Sequence, residues 1–125
     1  MTGICFAAGA LAATLHVSQF TLAWMHSIEK IRWEEDWRVV HGKLVVDEAR
    51  IVGTGAGMEP PPDAKLVKGV WHYKPAVAPL AEVDLAHSPF TKEYEICTEG
   101  RCEPLTTLLP GLPKIAVVRM RACEQ

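Results

Sequence analysis

Phe20-Thr21-Leu22-Ala23-Trp24-Met25-His26-Ser27 changes character at every step. In an extended chain Phe20, Leu22, Trp24 and His26 point one way and Thr21, Ala23, Met25 and Ser27 the other, so the stretch predicts a strand with one buried face. Upstream, residues 4–8 predict a first strand that turns at Gly9 and returns through Ala13 to Val17. Downstream, residues 43–52 alternate less sharply, setting Leu44, Val46, Glu48 and Arg50 against Val45, Asp47, Ala49 and Ile51. Short β-prone runs follow at residues 69–73, 82–86, 92–97, 101–105 and 115–119, separated by Gly, Pro and polar residues.

Residues 27–40 fit two periods, because Trp33, Trp37 and Val40 have helical spacing while Trp33, Trp37 and Val39 alternate. A loop followed by a strand over residues 34–40 is preferred, joined to the next strand through His41-Gly42, where Gly supplies a positive φ. Pro60-Pro61-Pro62 lacks amide donors and predicts an extended surface connection. The expected fold is all-β, a sandwich or partly open barrel of about eight to ten short strands. Helix is confined to at most a turn or two near residues 27–33.

The chain has 125 residues, of which 49% are hydrophobic, enough for one domain spanning residues 1–125 with a substantial core. Lys and Arg number 13 against 15 Asp and Glu, a net charge of -2 that gives no basic excess for binding nucleic acid. No apolar run approaches the roughly 20 residues that a membrane-spanning helix needs. The opening fifteen residues imitate a signal peptide, ending at Ala10-Leu11-Ala12-Ala13, but no Lys or Arg precedes Lys30. A cytoplasmic location is favoured on that ground, with the periplasm as the alternative.

Cys97-Thr98-Glu99-Gly100-Arg101-Cys102 predicts a hairpin in which Glu99-Gly100 is the turn, Thr98 pairs with Arg101 and Cys97 faces Cys102. Three states are compatible with that: free or packed thiols, a disulfide, or a zinc site recruiting Cys5 and Cys123. His26 and Ser27, followed by Glu29, Lys30, Trp33, Glu34, Glu35 and Trp37, crowd polar and aromatic groups where a strand ends. A second pair, His87-Ser88, also ends an apolar run, so the two pairs can face each other if their strands are neighbours. Gly53-Thr54-Gly55-Ala56-Gly57 starts like a dinucleotide motif but lacks its spacing and its following helix, so the glycines are read as a sharp bend or close approach.

The strings from Phe20 to Lys30, Trp33-Glu34-Glu35-Asp36-Trp37 and Gly53 to Pro61 together resemble the bacterial DUF1850 family, a domain of unknown function. The resemblance runs from the Ile4-Cys5 strand to the Cys97/Cys102 hairpin, with Met25 standing where a small residue such as Thr is usual. It implies a protein often encoded beside tripartite ATP-independent periplasmic (TRAP) transporters of the TAXI type, and no established activity. The matched positions are His26, Ser27, Glu29, Lys30, Trp33, Glu35, Gly55, Ala56 and Gly57, none with an assigned role.

The expected function is a non-catalytic binding or accessory module for uptake of a small organic solute, requiring no cofactor. Its site is expected where His26, Glu29, Lys30 and Glu35 converge near Gly55–Gly57, walled by Trp33 or Trp37, to meet a small polar or anionic solute. A transporter component is the expected protein partner. The competing readings are an internal ion pair of Lys30 with Glu29 or Glu35, and a small hydrolase or metal-dependent enzyme using His26, Ser27 and His87.

Overall fold

The computed structural model describes residues 2–25, 31–52 and 61–124. In chain order its elements are β1 (Thr2–Ala8), β2 (Leu11–Leu15), β3 (Gln19–Met25), β4 (Arg32–Val40), β5 (Lys43–Val52), β6 (Lys65–Val67), β7 (Val70–Tyr73), β8 (Glu82–His87), β9 (Glu95–Thr98), β10 (Arg101–Pro104), the one-turn helix α1 (Leu105–Leu108) and β11 (Ala116–Glu124). They form two antiparallel sheets, β2-β1-β11-β8 and β10-β9-β3-β4-β5-β7-β6. The sheets do not close into a barrel, and the fold is an all-β sandwich. Among the described residues no helix is long and apolar enough to cross a membrane.

Alternation explains what each sheet buries. Ile4 and Phe6 of β1, Leu85 of β8 and Val118 and Met120 of β11 face Phe20, Leu22, Trp37, Leu44, Val46 and Ile96 of the larger sheet in one core cluster. Burying a side chain such as Phe6, which is fully enclosed, contributes about 2–3 kcal/mol, so each of these positions matters to a marginally stable domain. The opening residues form two strands, with β1 inside the smaller sheet between β2 and β11. Cys5 of β1 and Cys123 of β11 are joined by a disulfide across a sequence separation of 118.

Departures from simple alternation have local causes. Asp36 pairs with Glu48 but Trp37 pairs with Val46, a bulge that leaves Asp47 over. The bulge reverses the parity of β5, so Leu44, Val46, Ala49 and Ile51 are the buried set and the two faces expected from strict alternation exchange partners after Val46. His41-Gly42 turns with φ of 50° and 75°, and Glu99-Gly100 with 51° and 80°, the left-handed pair that a tight two-residue hairpin requires. Lys68-Gly69 does the same, so Gly69 belongs to a turn and β6 is a strand that its three residues left unread. Of the stretch where a turn or two of helix was expected, residues 27–30 lie outside the described residues and Arg32 and Trp33 are strand; among the described residues a helical turn follows Pro104. Pro61 begins a turn, its carbonyl accepting from the Ala64 N–H at 2.9 Å, where an extended connection was expected.

The predicted hairpin forms as read: Thr98 pairs with Arg101 and Cys97 with Cys102. Of its three alternatives the disulfide is realised, with Cα atoms 4.0 Å apart. With Cys5 and Cys123 bonded to each other, no cysteine is free.

Candidate functional site

β4 reads Arg32-Trp33-Glu34-Glu35-Asp36-Trp37-Arg38, and strand parity sends its charges to two different places. Arg32, Glu34, Asp36 and Arg38 lie on the outer face beside Glu48, Arg50 and His72 of β5 and β7. There Arg50 reaches Asp36 through Nη1 and Nη2 at 2.6 Å each, Glu34 through Nε at 3.0 Å and Glu48 through Nη1 at 2.9 Å. The Asp36 carboxyl is held below its ordinary range, first by the hydrogen bonds from Arg50 and with help from the Thr21 hydroxyl. Burial works to raise Glu34, and the hydrogen bonds of Arg32 and Arg50 outweigh it. Arg32 is shared between Glu34 at 2.8 Å and Glu95 at 2.9 Å.

Glu35 instead points to the inner face with Trp33 and Trp37, opposite Leu22 and Ala49. Its Oε1 accepts from Trp37 Nε1 at 3.3 Å, and no cation pairs with it among the described residues. Burial pushes its carboxyl above the ordinary value, with the Trp37 hydrogen bond opposing. Tyr73 and Tyr94 are raised as well, chiefly by burial and then by the nearby Glu35 charge. Trp24 stacks on Trp33 with ring centroids 6.0 Å apart and meets Tyr94 at 5.7 Å.

A cavity of about 570 Å³ opens where β3 and β8 end, between the two sheets. Trp24 and Met25 line it from β3, His87 and Ser88 from the end of β8, and Lys92 and Lys114 from loops. His87 is inward on β8, two residues after Leu85, and only 8% exposed. Its Nδ1 is buried without a hydrogen-bond partner among the described residues, which is uncommon because such an atom costs about 1–3 kcal/mol. The acids at the rim are engaged: Glu93 accepts from the Thr106 N–H at 2.9 Å and its hydroxyl at 3.1 Å, and Glu95 accepts from Arg32. Lys92 and Lys114 have no ion-pair partner among the described residues. No group of acids, histidines and cysteines among those residues could hold a metal ion.

Of the residues expected to form the site, Trp33 and Glu35 share the inner face of β4, and Trp37 is core, 5% exposed. His26, Ser27, Glu29, Lys30, Gly55, Ala56 and Gly57 lie outside the described residues. Register puts Met25, Arg32 and Val52, which flank those segments, in one row at one end of the larger sheet. The strands ending at Met25 and His87 belong to different sheets and meet across the sandwich at the cavity. Arg32, Lys92 and Lys114 were not singled out by sequence; each is an isolated cation whose role depends on what lies across from it. Trp24, by contrast, was legible as an inward residue two places before His26.

The molecule is thus an antiparallel β-sandwich with a cavity of mixed apolar and polar lining at the end of its core. The chain belongs to the family described as domain of unknown function (DUF1850), whose model matches residues 20–105. Comparison with curated proteins and with solved structures finds no match.

Proposed function

We propose that this chain is a non-catalytic binding or accessory module for a small organic solute, serving uptake through a TRAP transporter of the TAXI type. The observation that carries the binding role is the cavity of about 570 Å³ at the end of the sandwich, within the roughly 300–1,000 Å³ range of small-molecule sites and holding a few convergent polar groups. The transporter rests on the family resemblance. His26, Ser27, Glu29 and Lys30 follow Met25, a cavity-lining residue, and are proposed to complete the site together with Trp33, Glu35 and the Gly55, Ala56 and Gly57 backbone. Two disulfides support the periplasm as the compartment, since such bonds persist under oxidising conditions.

Native mass spectrometry of the protein purified from its own host tests the reading. A retained small-molecule mass, or a co-purifying transporter component, is the expected result; bare protein alone contradicts it. The rival hydrolase reading draws on the same His87, which opens onto a cavity and lacks a partner at Nδ1. Release of p-nitrophenol from p-nitrophenyl acetate above the buffer rate, abolished by Ser27→Ala, would favour that rival.

A further inference from the structure

Resting on the binding-module reading, we propose that the cavity at the ends of β3 and β8 is a site for a small organic carboxylate. Its carboxylate would be held by His87, Lys92 and Lys114, and its apolar part would lie on Trp24. Among the charged side chains that line the site, the two left with neither a hydrogen bond nor an ion pair among the described residues are both cations, Lys92 and Lys114. Both oxygens of Glu93 accept from Thr106, and Glu95 accepts from Arg32. Ser88 Oγ already accepts from the Phe90 N–H at 3.3 Å, so its own hydrogen is free to be donated. The two lysines and the His87 ring, which lines the cavity, add donors with no acceptor opposite them among the described residues. Counting Arg32, Lys92 and Lys114 against Glu93 and Glu95 gives three cations to two anions, a formal charge of +1 on the lining.

An acceptor-rich anion satisfies this set, and a cation or a further donor does not. The remaining walls decide what kind of anion. Trp24, Met25, Pro89 and Pro104 give the cavity an apolar side, which a bare inorganic ion would leave uncovered and an organic acid would pack against. His87 is more than nine-tenths buried, so its ring is held by packing before a ligand arrives and loses little freedom on binding.

The test is isothermal titration of the full chain with short-chain and aromatic carboxylates, with the matching primary amines, and with inorganic phosphate. Carboxylates are expected to bind, with affinity weakened roughly tenfold in Lys92→Met or Lys114→Met and tenfold or more in His87→Leu, the range for losing a hydrogen bond to a charged group. The two lysines are exposed, so their variants fold whatever becomes of His87→Leu. Amines binding in place of carboxylates would overturn the assignment of charge while leaving the binding module standing. Phosphate binding as well as the best carboxylate would overturn the organic part. No binding by any probe, in protein shown to retain a ligand from its host and then stripped of it, would overturn the inference without touching the broader reading.

Discussion

Each face of β4 carries a glutamate, and the two faces treat it in opposite ways. On the outer face Arg32, Glu34, Asp36 and Arg38 each have an oppositely charged partner within 3.0 Å. On the inner face Glu35 sits among aromatic rings with one indole N–H, and the inner surface runs on to a cavity where His87, Lys92 and Lys114 have no internal counterpart among the described residues. Glu34 and Glu35 are adjacent and chemically identical, yet one is lowered and the other raised. Charges that are matched within the chain hold the sheet together, whereas a buried polar group without a partner detracts from stability and, on the proposed reading, serves binding instead.

Removing the outer hub should have the largest effect. Arg50→Met leaves Asp36 without its cation, Glu34 with Arg32 alone and Glu48 with the His72 ring alone. Asp36 and Glu48 are more than a third exposed, so solvent screening brings the expected loss to about 1–2 kcal/mol in urea unfolding at neutral pH. Acid should erase the difference. Asp36 and Glu34 have folded pKa values below their ordinary 3.8 and 4.5. Their contribution is therefore present above those ordinary values and lost as pH falls through the folded ones, which should bring wild type and Arg50→Met together.

Glu35→Gln should move stability the other way, and by less. Its folded pKa lies above the ordinary 4.5, so the folded chain binds the proton more tightly than the unfolded chain. The resulting penalty is absent below about 4.5 and grows as pH rises through the folded value. The variant is therefore expected to melt higher than wild type at neutral pH and with wild type at pH ~4; a lower melting temperature at neutral pH would mean that Glu35 has a cationic partner. Smallest of all, Lys92→Met and Lys114→Met should leave unfolding within about 0.5 kcal/mol of wild type, as exposed substitutions away from any internal partner do. A larger loss would assign either lysine to the structure.

Much of the fold could be read in the sequence because period two survives wherever pairing is regular. Phe20, Leu22 and Trp24 face inward as their alternation requires, and both the His41-Gly42 and Glu99-Gly100 turns stand where glycine placed them. The bulge at Asp47 escaped because nothing in Val46-Asp47-Glu48 distinguishes an extra residue from a continued alternation until Trp37 is seen pairing with Val46. The cavity was less legible. Lys92 and Lys114 are far apart in sequence and reach one cavity only because β9 lies beside β3 in one sheet while β11 pairs β8 in the other. His87 was singled out for its Ser88 neighbour, whereas what distinguishes it is burial without a partner for Nδ1, a property of packing alone.

Urea unfolding of His87→Leu at neutral pH tests most directly whether the unmatched groups of the inner mouth are kept for binding at the expense of stability. Leucine fills a similar volume and removes a buried nitrogen that no described residue satisfies, so the variant should be as stable as wild type or more so, by up to about 1–3 kcal/mol. A loss as large as that of Arg50→Met would show His87 to be held by the fold itself, and would contradict the division between the two faces.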